Sequence, residues 1–148
     1  MSFIRCIYVF ILMPFKDKLL TIEALLLTFY YRLCLLIIPF NNFKKHMGTY
    51  NEESPVNIEL IQYKEAKTVK RIIESVSQIT PWESKCLVQA LTAKRMMKKR
   101  EISITIYLGV RKGSEESMIA HAWTRCGALY ITGGKYREDY VVVAKFSA

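Results

Sequence analysis

Apolar positions along the chain change their period twice, and each change marks a new kind of element. Residues 19–40 (LLTIEALLLTFYYRLCLLIIPF) are apolar at nearly every position, which predicts one long helix over 17–37, with Pro39 and the Asn41-Asn42 pair marking its end. The stretch 49–56 (TYNEESPV) is polar and reads as a linker. Ile58, Ile61, Ala66, Val69 and Ile72 then recur at mostly three- and four-residue steps, predicting a helix from about Asn57 to Ser77 with Asn57 as cap and Leu60 and Ile61 packing in its first turns. Thr80-Pro81-Trp82-Glu83 has the form of a capping box with Pro at the first helical position, and Ser84 offers a second cap. The helix that follows runs to about Lys99, with Cys86, Ala90, Ala93 and Met97 on one face.

Beyond it the period falls to two. Ile102, Ile104, Ile106, Leu108 and Val110 alternate with Ser103, Thr105, Tyr107 and Gly109, a strand pattern. Residues 111–117 form a turn, and Met118 to Arg125 a second strand. A reversal at Gly127 leads to a third strand, Ala128 to Thr132; Gly133-Gly134 turns the chain again before a fourth, Tyr140 to Phe146. Short turns between successive strands imply an antiparallel sheet. The expected fold is α+β: N-terminal helices, then the Cys86 helix packed on an antiparallel sheet of about four strands. Two regions are expected, an apolar helical segment at 1–48 and the main unit at 57–148.

Composition narrows the partners. The chain of 148 residues carries 22 Lys and Arg against 13 Asp and Glu, for a net charge of +9. That balance favours acidic peptides, anionic lipid or nucleic acid. The aromatic and basic interleaving typical of single-strand binding is missing, so nucleic acid is not expected. Cys6, Cys34, Cys86 and Cys126 are widely separated, with no C-x-x-C pair, which suits a reducing compartment and free thiols. His46 and His121 are the only histidines, and no tight ligand cluster predicts a metal. Glu23 and Arg32 interrupt the apolar N-terminal run, and each is costly in a lone spanning helix. A buried helix is therefore expected there, with peripheral membrane contact or pairing with a partner's apolar surface as the alternatives.

Two residues invite a chemical reading. Taken alone, Cys86 reads as an inert buried helix cysteine. With Ser84 as cap, however, it falls at the second helical position, where free amides and the helix dipole favour thiolate; with Thr80 as cap it sits more than a turn inside and loses that help. His121, between Ala120 and Ala122, shares a strand face with Trp123. It is either a structural histidine satisfied by a carbonyl or a general base, which needs a nucleophile in reach and a third group to orient the ring.

The run Cys86-Leu87-Val88-Gln89-Ala90-Leu91, then Leu108-Gly109-Val110-Arg111-Lys112, Ala120-His121-Ala122-Trp123 and Gly133-Gly134, resembles the stand-alone leader peptidases of lasso-peptide biosynthesis (the B2 proteins), relatives of transglutaminase-like and papain-like cysteine enzymes. The resemblance spans essentially the whole chain. It implies Cys86 as nucleophile, His121 as its base, and the Cys86 amide in the oxyanion hole, with no cofactor. It also implies a precursor peptide cut after its leader, and an ATP-dependent macrolactam synthetase that closes the freed amine onto an acidic side chain. The family's third member is an acid shortly past the histidine, but here that region reads Tyr130-Ile131-Thr132-Gly133-Gly134. Thr132 or a main-chain carbonyl is one candidate for orienting the ring, and Asp139 the other. Fused relatives carry a leader-recognition domain ahead of the peptidase; no such unit is evident here, implying a separate small leader-binding protein. A cytoplasmic location is expected from the cysteine pattern, with membrane association as an alternative.

Trp82, Gln89 and Trp123 are candidates for a substrate groove, although core packing accounts for either tryptophan equally well. Cys126 reads as structural. Two competing classes stay open: a non-catalytic peptide-binding module on the same scaffold, and an acyl transferase using the same Cys–His pair.

Overall fold

The computed structural model describes residues 8, 10–114 and 117–148; Cys6 and the Glu115-Glu116 part of the expected turn lie outside them. Helix α1 (Phe15–Ile37) is followed by the short helix α2 (Phe40–Lys44), then strand β1 (Thr49–Tyr50), helix α3 (Leu60–Ile79) and helix α4 (Cys86–Lys98). The remaining strands are β2 (Thr105–Lys112), β3 (Met118–Cys126), β4 (Leu129–Thr132) and β5 (Val141–Ser147), with a 3-10 helix over Gly134–Asp139 between the last two.

The strands form one five-stranded sheet in the order β1-β5-β2-β3-β4, and every pairing is antiparallel. The α+β expectation holds, with one strand more than expected. Thr49–Tyr50, read as linker, pairs with Phe146 and Ser147 of β5. A two-residue strand is too short to show alternation, so only its distant partner makes it a strand.

Several boundaries differ from the pattern reading. Helix α3 starts at Leu60, not Asn57, because Glu59 and Gln62 form a reciprocal capping box in which the Gln62 side chain accepts the Glu59 amide at 3.1 Å. Leu60 and Ile61 are exposed there instead of packed. Asn41 and Asn42 do not end a helix but lie inside α2, which opens after Pro39. Neither Thr80 nor Ser84 caps α4: Lys85 holds the cap position in extended backbone, and no side chain among the described residues caps it. The Ser84 hydroxyl lies 3.2 Å from that of Ser77, tying the turn to the end of α3.

One core lies between the helices and one face of the sheet. Ala66, Val69 and Ile73 of α3 and Ala90, Ala93 and Met97 of α4 meet Ile104, Ile106, Ala122, Ile131 and Phe146. Leu20, Ala24, Phe43 and Met47 from the N-terminal segment join the same cluster. Helix α1 is thus buried along one edge only, at Leu20, Thr21, Ala24 and Thr28, which corrects the expectation of a buried helix. It is long and apolar enough, by length and composition, to cross a membrane. Three of its charges are nonetheless paired within the fold: Glu23 with Arg100 at 3.1 Å, Arg32 with Glu83 at 2.9 Å and Asp17 with Arg71 at 2.7 Å.

Candidate active site

Cys86 is the first residue of α4, directly after the extended Lys85. The first intrahelical bond there runs from the Gln89 amide to the Lys85 carbonyl at 3.1 Å, so the amides of the opening turn precede any i−4 partner. Of the two positions considered from the sequence, the structure takes neither and sets the thiol one residue nearer the end. Gln89 folds its side-chain amide back onto the Ser84 carbonyl at 2.8 Å, bracing the turn that presents Cys86.

His121 lies in the middle of β3, opposite Gly109 of β2. A Cβ at Gly109 would stand 2.7 Å from the Trp123 ring and 3.0 Å from the Tyr140 Cβ, so only glycine leaves room for the aromatic layer beneath the histidine. In that layer the His121 ring lies 5.7 Å from Trp123 and 4.9 Å from Tyr140, while Trp123 stacks on Tyr107 at 5.6 Å. Trp123 is buried there at 3% exposure.

The ring of His121 is oriented by backbone. Its Nε2 lies 2.8 Å from the Gly133 carbonyl. A carbonyl only accepts, so Nε2 carries the proton and Nδ1 is left as the acceptor nitrogen. Gly133 achieves this in the left-handed region, at φ 66°, as the residue before the 3-10 helix. Of the side-chain alternatives, Thr132 is buried with its hydroxyl 3.0 Å from that of Thr124. Asp139 is exposed at the end of the 3-10 helix.

Cys86 and His121 line the same open cleft of about 650 Å³, between α3, the start of α4, β4 and the 3-10 helix. Gln89, Ser84, Tyr130, Gly133 and Gly134 also face it. Its walls are basic: Lys70, Lys85, Lys135 and Arg137 against Glu74. Arg137 lies over the Tyr130 ring at 4.4 Å and donates to the Gly134 carbonyl at 2.8 Å, and Lys70 donates to the Tyr130 carbonyl at 3.1 Å. On the far side of the pair is a second cavity of about 200 Å³, lined by apolar residues of α2, α4, β2, β3 and β5. Cys86 and His121 are the residues common to both.

The tryptophans stand elsewhere. Trp82 packs edge-on against Phe29 of α1 at 5.2 Å, with its Nε1 buried and without a partner among the described residues. Cys34, Cys86 and Cys126 are free thiols. Burial pushes the Cys126 thiol up, with Arg125 opposing, which keeps it protonated and unreactive. Among the described residues no cluster of three His, Cys, Asp or Glu side chains is placed to share a metal ion. Sequence reasoning allowed a main-chain carbonyl as the orienting group without saying which, and it missed the basic cleft wall and the apolar cavity. Which carbonyl it is depends on the backbone turn at Gly133, and the wall and cavity are assembled from segments far apart in the chain.

No curated protein and no solved structure matches the chain significantly. The family model for the transglutaminase-like superfamily matches residues 38–145, from the end of α1 to β5 and including both Cys86 and His121. By that match, and by helices packed on an antiparallel sheet as such a fold requires, the chain belongs to the transglutaminase-like superfamily.

Proposed function

We propose that this protein is a cysteine peptidase that removes the leader from a ribosomally made lasso precursor peptide before macrolactam closure. The observation that carries the reading is the placing of Cys86 and His121 together at the junction of two cavities, one at a helix N-terminus and the other with its tautomer set by a carbonyl.

In this reading the Cys86 thiolate attacks the scissile carbonyl carbon, and the new C–S bond pushes negative charge onto the carbonyl oxygen. The Cys86 amide, at the positive end of α4, is placed to receive that charge. His121, protonated at both nitrogens after taking the thiol proton, donates one to the leaving amine as the C–N bond breaks. A water then gives its proton to His121 and attacks the thioester carbonyl. The C–S bond breaks, releasing the leader as a carboxylate and restoring the thiol pair. The Gly133 carbonyl holds the ring through Nε2 but, being neutral, stabilises imidazolium less than a carboxylate would.

Two surface features suit the partners of this reading. The basic cleft suits an acidic leader segment. The outer face of α1 exposes Phe15, Leu19, Ile22, Leu26, Phe29, Leu33 and Leu36, spaced alternately by four and three. That is the period of a helix seam packing against another helix, whereas a straight amphipathic helix follows 3.6. A separate leader-binding protein docking there would sit beside the Trp82 turn that leads into Cys86. The macrolactam synthetase acts next, on the amine this cut frees. A reducing, cytoplasmic setting suits the free thiols of this reading.

The test is to incubate a lasso precursor peptide and its leader-binding protein with this chain and with Cys86→Ala, and to read the products by mass spectrometry. The parent is expected to release the leader, and the variant to leave the precursor intact. Cleavage surviving in Cys86→Ala would overturn the reading.

A further inference from the structure

The two cavities that meet at Cys86 and His121 differ sharply in chemistry. The cleft is wide, open and basic. The second cavity, of about 200 Å³, is walled by Phe40, Leu87, Leu108, Val110, Ala120 and Val143, and offers a guest little but carbon. It lies between the first turn of α4 and strands β2, β3 and β5, with Phe40 of α2 in its wall. An aliphatic-lined cavity of about 150 Å³ can hold a benzene molecule, so this space suits one side chain of Val, Leu or Ile size.

An extended peptide lying across the pair to reach both cavities would have its scissile carbonyl at the boundary between them. Its residues on one side of the cut would lie among Lys70, Lys85, Lys135 and Arg137, and a residue on the other side would turn its side chain into the apolar space. A charged or amide side chain entering that space would lose its water with nothing to replace it. Shortening an aliphatic side chain would leave part of the space empty.

Building on the peptidase reading above, we propose that this cavity is the specificity pocket of the enzyme, selecting a single aliphatic side chain at one of the two residues on one side of the scissile bond. The basic cleft takes the acidic segment on the other side of the cut. The substrate class is thus a peptide whose polarity changes at the cleavage point, from acidic on one side to aliphatic on the other.

The same precursor and leader-binding protein supply the test. The two residues on each side of the cut are varied one at a time among Asp, Lys, Ala, Val and Leu, and initial rates are compared. At one of these positions Val or Leu is expected to be cut at least about tenfold faster than Ala, Asp or Lys. Ala120→Leu, at an exposed strand position, fills the pocket from β3; Val143→Trp fills it from β5, where Val143 is about half exposed. Each variant should bring the Leu-to-Ala rate ratio at that position below one. If all four positions accept Asp as readily as Leu, or if neither variant changes the ratio, the pocket assignment is overturned while the peptidase stands. If no member of the series is cut by the parent, the peptidase reading itself fails.

Discussion

At the scale of single residues, the group that orients His121 is a peptide carbonyl. Gly133 presents it from a left-handed backbone conformation, and a Cβ there would lie 2.5 Å from the Ala122 carbonyl oxygen and 3.1 Å from His121 Nε2. Gly133→Ala therefore has two costs. The left-handed conformation costs an alanine at least about 1 kcal/mol, and relief of the clash moves the carbonyl that fixes the tautomer. The expected outcome is a modest fall in the urea midpoint with a much larger fall in single-turnover cleavage rate. Asp139→Asn, at an exposed position, should leave both unchanged. A Gly133→Ala enzyme with full activity, or an Asp139→Asn enzyme without it, would return the orienting role to a side chain. If the proposed pair is catalytic, systematic side-chain replacement along the chain would find Cys86 and His121 and pass over the carbonyl that orients the ring.

At the scale of elements, α1 serves two purposes with two edges. Leu20, Thr21, Ala24 and Thr28 pack inward, while the stripe from Phe15 to Leu36 faces out. Leu26 is 64% exposed and Leu33 42% exposed, so Leu26→Glu with Leu33→Glu should leave the thermal midpoint nearly unchanged. The same double variant should abolish co-elution with the leader-binding protein and the stimulation of cleavage by it; undiminished stimulation would remove α1 from the docking surface. The period of this helix, and that of β2 and β3, was open to reading because each repeats over many residues. What was hidden depended on single local choices or on distant chain. Gln62 drew the cap of α3 to Glu59, and Ser84 turned to Ser77 instead of capping α4. The two candidate residues, Cys86 and His121, were legible by type. Their surroundings were not, because Phe40, Val110 and Val143 come together through tertiary packing alone.

At the scale of the molecule, the polar segment before α3 is a clasp. Arg125, buried at 6% exposure, donates to the Gly127 carbonyl at 2.6 Å, to Glu53 and the Ser54 carbonyl at 3.0 Å each, and to the Tyr107 hydroxyl at 3.0 Å. Ser54 is further tied to Thr105 through its amide and hydroxyl. Hydrogen bonds from Lys145 and Tyr107, with the nearby cations, hold the Glu53 carboxyl below its ordinary value of 4.5. A carboxylate depressed in the folded state contributes stability that is complete above its unfolded value and lost as pH falls through the folded one. Urea midpoints should therefore drop below about pH 4.5, and the drop should be shallower in Glu53→Gln than in the parent. Identical acid slopes for the two proteins would exclude Glu53 from this role. The strand order carries a further consequence, for the chain as it is made. Strand β5 is the last of the sheet to be synthesised, yet it lies between β1 and β2. Until it emerges, β2 is an open edge whose amides and carbonyls await a neighbour, and β1 has nothing to pair with. The β2–β3–β4 meander can form from adjacent segments, but Phe146 reaches the core only once β5 has been made. The nascent chain thus passes through a stage that is reactive toward other strands, and the sheet closes in one late step.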